Sequence, residues 1–229
     1  RSGVELVLGR IADVEVDRPR DVTVDRTLLT RDYREILDDP GIDIVIELVG
    51  GTTVARDVVR GALQHGKHVV TANKALLYHH KEELFALATA HERELRFEAS
   101  VAGGIPIIKV LTESLAGDRV HAMFGIVNGT TNFILTRMIE EQWSFADALA
   151  RAQALGFAEA DPALDVNGGD ATHKLEILAT VAFNARVDRG RILTRGIDDL
   201  SLTDVLYAKE LGYVVKLLAV AKQVGDGML

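Results

Sequence analysis

Ile42-Asp43-Ile44-Val45-Ile46-Glu47-Leu48-Val49-Gly50-Gly51 is the stretch that decides the fold. Aliphatic residues run almost unbroken and stop at a glycine pair. Such a run predicts a strand covered on both faces by helices, as in a parallel sheet; a strand with one wet face would alternate apolar and polar residues. Downstream, Thr53 to His65 has helical period and ends at Gly66. His68-Val69-Val70-Thr71-Ala72 follows as a short strand, Lys81 to Arg93 as a helix and Leu95 to Ala99 as a strand. Gly103-Gly104-Ile105-Pro106 then opens a helix to about Leu115, with Pro in its first turn. Alternating strands and helices with short links predict a doubly wound parallel α/β sheet.

In such sheets ligands gather at the carboxyl ends of the strands. Gly50-Gly51, Asn73-Lys74 and Gly103-Gly104 all fall at such ends, although each pair alone also fits ordinary turn chemistry. Near residue 120 the pattern changes. Arg119 to Val127 reads as a strand leading into Asn128-Gly129-Thr130-Thr131-Asn132. Long helical patterns start near Thr130, at Ser144 with Asp147 as its capping-box partner, at Asp170 (to Asn184), and at Leu202 (to Lys222) with Ser201 or Thr203 as N-cap. The expected organisation is an α/β domain over residues 1–118 and an α+β domain of helices on a smaller sheet over residues 119–229.

The composition bounds what the chain can do. Its 229 residues suffice for one large domain or two modest ones with a real core, and at 48% hydrophobic but 5% aromatic that core is aliphatic. With 26 basic against 34 acidic residues the net charge is −8, and the basic residues are scattered among acidic neighbours, which argues against a nucleic-acid partner. The absence of cysteine excludes disulfides, zinc–thiolate sites and thiol nucleophiles. No apolar run approaches the roughly 20 residues that span a bilayer. The opening RSGVELVLGR reads neither as a signal peptide nor as a natural start, and a cytoplasmic location without membrane association is expected.

The stretch Gly156 to Lys174, GFAEADPALDVNGGDATHK, concentrates the chemistry. Gly156 ends the preceding helix. Glu159, Asp161 and Asp165 place three carboxylates within seven residues, so they either splay into solvent or collect around a cation. That cation is a substrate ammonium, a lysine such as Lys174, or a metal; the spacing is not that of a calcium loop. Asn167-Gly168-Gly169 breaks regular structure, after which Leu175, Leu178, Val181 and Ala182 recur at helical spacing. Asp170 therefore sits near a helix N-terminus with Lys174 one turn later on the same face. The plain alternative is an N-capping Asp with a solvated i,i+4 pair contributing ~0.3–0.5 kcal/mol. Lys74, at the end of a strand, can reach a ligand crevice and hydrogen-bond a developing alkoxide, although a surface turn lysine is the commoner case. The histidines form no metal-binding pair, and His173 reads as a surface helix residue. Trp143, Phe124, Phe133, Phe145 and Phe157 read as core or domain-junction packing.

Four segments in this order resemble the homoserine dehydrogenases. They are Thr71-Ala72-Asn73-Lys74-Ala75-Leu76-Leu77, Glu98 to Ile108 (EASVAGGIPII), Gly125 to Leu135 (GIVNGTTNFIL), and Gly156 to Lys174. The resemblance implies a Rossmann-like nucleotide-binding domain with a substrate and dimerisation domain. It also implies a cytoplasmic homodimer that interconverts L-aspartate 4-semialdehyde and L-homoserine with NADP or NAD, a branch step towards threonine, methionine and isoleucine. By the matching motifs, Lys174 is the acid/base lysine at the substrate's C4 oxygen, and Lys74 is a second lysine reaching cofactor and substrate. Glu159 and Asp170 resemble the carboxylates that bind the substrate's amino group, with Asp165 a further acidic position. Gly50 and Gly156 fall where family members touch the cofactor. Glu98, Val101, Gly103 and Ile105 are similar to a monovalent-cation loop whose backbone carbonyls bind Na⁺.

The physical reading agrees with these implications. Hydride addition to an aldehyde makes an alkoxide that needs a proton donor within ~3 Å. Carboxylates suit an amino-acid ammonium, and the nicotinamide carries the redox chemistry. The family's first strand and glycine-rich phosphate loop, which seats a pyrophosphate on a helix N-terminus, is not found in residues 1–40, and the chain stops at Leu229 ahead of the family's closing segment. An incomplete chain is the expectation. A catalytically silent, dimer-forming fragment or paralogue is the alternative. Aspartate-semialdehyde dehydrogenase would require a cysteine nucleophile, and a dihydrodipicolinate reductase relative would require a different basic motif.

Overall fold

A computed structural model describes residues 3–224 and 227–228. The chain divides into two units, Arg1–Ser100 and Val101–Leu229. The boundary expected at residue 118 falls inside the second unit, because the π-helical turn Val110–Ser114 packs on a long helix of that unit.

The first unit is parallel throughout. Strand β1 (Ile11–Ala12) pairs with β2 (Leu29–Thr30), and the short helix α1 (Arg34–Asp38) leads to the main sheet. That sheet is β3 (Ile44–Glu47), β4 (His68–Thr71) and β5 (Leu95–Arg96), joined by the right-spaced crossovers α2 (Thr53–Gln64) and α3 (Lys74–Ala90). Register places Ile44 opposite His68 and Glu47 opposite Thr71. Helix α2 buries Ala55, Val58, Val59, Ala62 and Leu63, the i, i+3, i+4, i+7, i+8 stripe of an amphipathic helix. Each of the larger aliphatics in that stripe contributes roughly 1.5–3 kcal/mol on full burial. Gly61 lets α1 approach: a Cβ there would stand 2.6 Å from Leu37 Cδ1.

In β3 Val45 and Glu47 are buried while Ile44 and Ile46 are exposed, and in β4 Val69 is buried while Val70 is exposed. The exposed side chains of β3 are the aliphatic ones, so the strand does not follow the apolar-in, polar-out alternation of a sheet with one wet face. One expectation is corrected in this unit. Helix α3 begins at Lys74, two turns before the expected Lys81, because the Asn73 side chain accepts the Leu76 N–H at 2.9 Å as an N-cap. Polar Tyr78-His79-His80 masks the apolar spacing that joins Leu76 and Leu77 to Leu84.

The second unit places helices on a small antiparallel sheet. Its elements are α4 (Ile107–Lys109), β6 (Ala122–Gly125), α5 (Gly129–Glu141), α6 (Phe145–Ala154), α7 (Ala163–Val166), α8 (Gly169–Phe183), α9 (Leu202–Glu210), β7 (Ala219–Val224) and β8 (Gly227–Met228). Strand β7 lies antiparallel to both β6 and β8, with Phe124 opposite Val220. Helix α8 packs on β7, and α5 packs on α6 and α9. The core holds Ile134, Leu135, Met138, Ala148, Ala152, Ile197 and Val205, with Phe133, Trp143 and Phe145 packed against it. Phe157 is partly exposed but packs on Phe133, ring centroids 5.0 Å apart, while Phe124 is 77% exposed and lies outside the core.

The long helix expected from Leu202 to Lys222 is two elements. It stops at Glu210, Gly212 adopts φ +84°, and the chain returns as β7. Apolar residues from Leu211 to Val220 fit either period, and cross-strand pairing with β6 decides for the strand. Ser201, rather than Thr203, is the N-cap, in a capping box with Asp204. Among the described residues no helix is long and apolar enough to cross a membrane.

Candidate active site

In the second unit the glycine pair before α8 sets the geometry. Gly168 is the N-cap at φ +84°, and a Cβ there would meet Arg195 O at 3.0 Å. Only glycine fits this left-handed, crowded position. Asp170 consequently lies in the first turn, where a carboxylate is favoured by the helix N-terminus. It is 5% exposed. Lys174, one turn on, places Nζ 2.7 Å from Asp170 Oδ2 and donates to Val127 O at 2.7 Å. The pair is therefore not the solvated surface bridge of the plain alternative, nor is Asp170 the N-cap.

A buried ion pair persists only when its remaining polar valences are satisfied, and Asn128 satisfies them. Its amide donates one hydrogen to Asp165 Oδ1 at 2.7 Å and the other to Asp170 Oδ2 at 2.8 Å. Its Oδ1 accepts from Thr131 N–H at 2.8 Å, capping α5. Thr130 Oγ1 lies 2.7 Å from Phe157 O and 3.1 Å from Asp165 Oδ2. The structure thus brings Asp165, Asp170 and Lys174 together around one buried amide. Asn128 was invisible as a site residue in the sequence, although Asn ahead of Gly-Thr-Thr is a legible N-cap pattern.

Glu159 is not drawn into this network. Its carboxylate is exposed and has no partner among the described residues, while its backbone carbonyl accepts from Gln153 Nε2 at 3.1 Å. Asp161 is exposed and accepts the Ala163 N–H at 3.1 Å. Gly156, at φ +76°, ends α6: its N–H reaches Gln153 O at 3.0 Å and the Phe157 N–H reaches Ala152 O at 2.9 Å, the two bonds of a Schellman stop. A Cβ on Gly156 would meet nothing within 4 Å. His173, read as a surface residue, is half-buried with Nδ1 shielded from solvent. Lys216, read as mid-helix, instead donates to Asn132 Oδ1 at 2.6 Å and Thr136 Oγ1 at 3.0 Å.

In the first unit Gly50 and Gly51 follow β3 with φ +78° and +66°, and a Cβ on either would meet nothing within 4 Å. They present bare backbone at a strand's carboxyl end. Half-buried Lys74 opens α3, its N–H reaching Ala72 O at 3.1 Å. Glu98 begins a single 3₁₀ turn closing this unit. In the second unit Val101 is buried, Ala102 and Gly103 both adopt left-handed φ (+57° and +59°), and exposed Ile105 donates its N–H to Ala102 O at 3.1 Å. The Ile105 carbonyl already accepts from Ile107 N–H at 2.8 Å.

Parallel strands with crossover helices define a Rossmann-like α/β protein with a second, α+β part. Residues 1–98 match the NAD-binding domain model of homoserine dehydrogenase, and residues 106–227 match the homoserine dehydrogenase model. The chain belongs to the homoserine dehydrogenase family. It is 43% identical to a homoserine dehydrogenase of Neisseria gonorrhoeae over 228 residues, covering 100% of this chain and 52% of that one. Among solved structures, one of a homoserine dehydrogenase from Thiobacillus denitrificans aligns with TM-score 0.84 and 50% identity, over 87% of this chain and 46% of that one. A hyperthermophilic archaeal homoserine dehydrogenase in complex with NADPH aligns with TM-score 0.67 and 27% identity, over 86% and 60% respectively. The chain spans about half the length of the curated relatives it matches.

Proposed function

We propose that this protein is an NAD(P)-dependent oxidoreductase interconverting L-homoserine and L-aspartate 4-semialdehyde, a cytoplasmic biosynthetic step towards threonine, methionine and isoleucine. The observation that carries the reading is the buried Asp165–Asn128–Asp170–Lys174 network in a member of this family. A lysine ammonium has three donors. Two of them serve Asp170 and Val127, each at 2.7 Å, which leaves one for a substrate oxygen. When bound, the nicotinamide supplies or takes the hydride. Lys174 then gives its third proton to the oxygen that becomes the homoserine hydroxyl, and takes it back in the reverse direction. Asp170 and Val127 O fix the donor so that no reorganisation is needed as charge develops.

Glu159, exposed and unpaired among the described residues, is suited to the substrate ammonium, with Asp165 and Asp170 supplying further negative charge. Gly50 and Lys74 in the first unit, and separately Gly156 in the second, are assigned to NADP or NAD. The bare backbone at both glycines fits a flat, close-lying ligand, and the NADPH complex of the archaeal relative supports the phosphorylated form. Lys74 serves as the second lysine of the reaction. The carbonyls of Glu98, Val101, Gly103 and Ile105 are assigned to Na⁺ on the family resemblance alone. The nucleotide-binding domain is assigned to the first unit, substrate binding and homodimerisation to the second, which also carries Gly156.

The test is direct. The full-length protein, given L-homoserine and NADP⁺ or NAD⁺, is expected to form reduced nicotinamide in proportion to homoserine consumed. A folded protein that forms none with either cofactor overturns the reading.

A further inference from the structure

At the carboxyl edge of the parallel sheet lies a carboxylate that the proposed reaction does not use. Glu47, the last residue of β3, is 1% exposed. Its Oε1 accepts the N–H groups of Val49 (2.8 Å) and Gly50 (3.3 Å), and its Oε2 accepts the Thr71 hydroxyl at 2.5 Å. Thr71, directly opposite on β4, in turn accepts the Asn73 N–H at 3.0 Å. The Asn73 amide donates to Gly51 O at 2.7 Å, and its Oδ1 caps α3 through the Leu76 N–H at 2.9 Å. The bonds close a ring: Glu47 to Gly50, along the chain to Gly51, across to Asn73, through Thr71 and back to Glu47.

A buried carboxylate is expensive unless each oxygen is hydrogen-bonded. A hydrophobic residue facing inward here would bury more apolar surface, as Val45 does two residues earlier. What the carboxylate adds is geometric. It gathers the backbone of the Gly50 turn and ties it to the residue that caps the helix beginning at Lys74. The two strand ends assigned to the cofactor are thereby held as one piece. Charge-assisted bonds to backbone N–H and hydroxyl are stronger and shorter than neutral ones, and hold position accordingly.

We infer that Glu47 is a positioning residue for the dinucleotide, acting through Thr71 and Asn73 to fix the Gly50–Gly51 turn and the start of α3. The inference rests on the proposed NAD(P) reading of that edge. Glu47→Gln keeps an oxygen for the Val49 and Gly50 N–H groups but removes the acceptor of the Thr71 proton. Thr71→Val removes the same bond from the other side with little change of shape, and Thr71→Ser restores it.

In the full-length protein, Glu47→Gln and Thr71→Val are each expected to raise the KM and Kd for NAD(P) about tenfold, the effect of one lost bond to a charged group. The KM for homoserine should stay unchanged, and the double variant should be no weaker than either single one. Thr71→Ser should recover wild-type cofactor affinity. A role confined to stability would lower the active fraction and leave both KM values alone, and that result overturns the inference. Should Glu47→Gln fail to fold, the Thr71→Val and Thr71→Ser pair decides the matter by the same readout. Wild-type protein that binds no dinucleotide overturns the functional reading along with it, whereas wild-type and variant binding equally well overturns the positioning role alone.

Discussion

Lys174 and Glu159 stand at opposite extremes of constraint, and their expected phenotypes differ for that reason. Lys174 Nζ is fixed by two acceptors at 2.7 Å, one of them a buried carboxylate. Lys174→Ala removes the proton donor and is expected to lower kcat by about 10²–10⁴-fold while cofactor titration remains as in the wild type. Near-normal turnover would sink the assignment. The same change takes a cation away from buried Asp170, so the melting temperature should fall as well. Glu159 has no partner to lose among the described residues. Glu159→Gln should leave stability within about 0.5 kcal/mol of wild type and raise the KM for homoserine; an unchanged KM counts against its role. The i,i+4 relation of Asp170 and Lys174 was legible because helical spacing is local. The amide of Asn128, which comes from 37 and 42 residues away in sequence to join Asp165 and Asp170, was not.

Helix ends are where local chemistry and tertiary context divide the work. The box at the start of α9 is local: Ser201 Oγ accepts the Asp204 N–H at 3.2 Å, and Asp204 Oδ2 accepts the Ser201 N–H at 2.9 Å. Ser201→Ala should cost about 1 kcal/mol in denaturant unfolding. The Ser201 hydroxyl, and then its backbone N–H, hold the Asp204 carboxyl below its ordinary value. A carboxyl whose folded pKa is depressed contributes stability above its unfolded value and loses it as pH falls through the folded one. The loss therefore falls below about pH 4, and Asp204→Asn should remove that part of the acid dependence. A wild-type acid limb unchanged by Asp204→Asn would contradict this. The stop of α6 is equally local, and Gly156→Ala, forced to φ +76°, should cost about 1–2 kcal/mol. The far end of α9 was not legible, since the residues after Gly212 carry an apolar pattern compatible with helix or strand until β6 pairs with them.

At the scale of the molecule, two units of different construction divide the proposed labour. One is a parallel sheet with crossover helices, the other an antiparallel sheet under helices. Sedimentation equilibrium of the full-length protein should report a homodimer, and a monomer at micromolar concentration would refute that part of the proposal. The alternation β3-α2-β4-α3-β5, the glycine stops, several caps and the family motifs were determined by sequence alone. Each depends on dihedral preferences and on residues within a turn or two of one another, which spacing records. Two things were decided by tertiary structure: that Glu159 stands apart from Asp165 and Asp170, and that Glu47 is bound into the strand edge. These depend on which distant segment arrives beside a residue and whether it brings a hydrogen-bond partner. Side-chain satisfaction across such separations follows the path of the whole chain, and no local period encodes it.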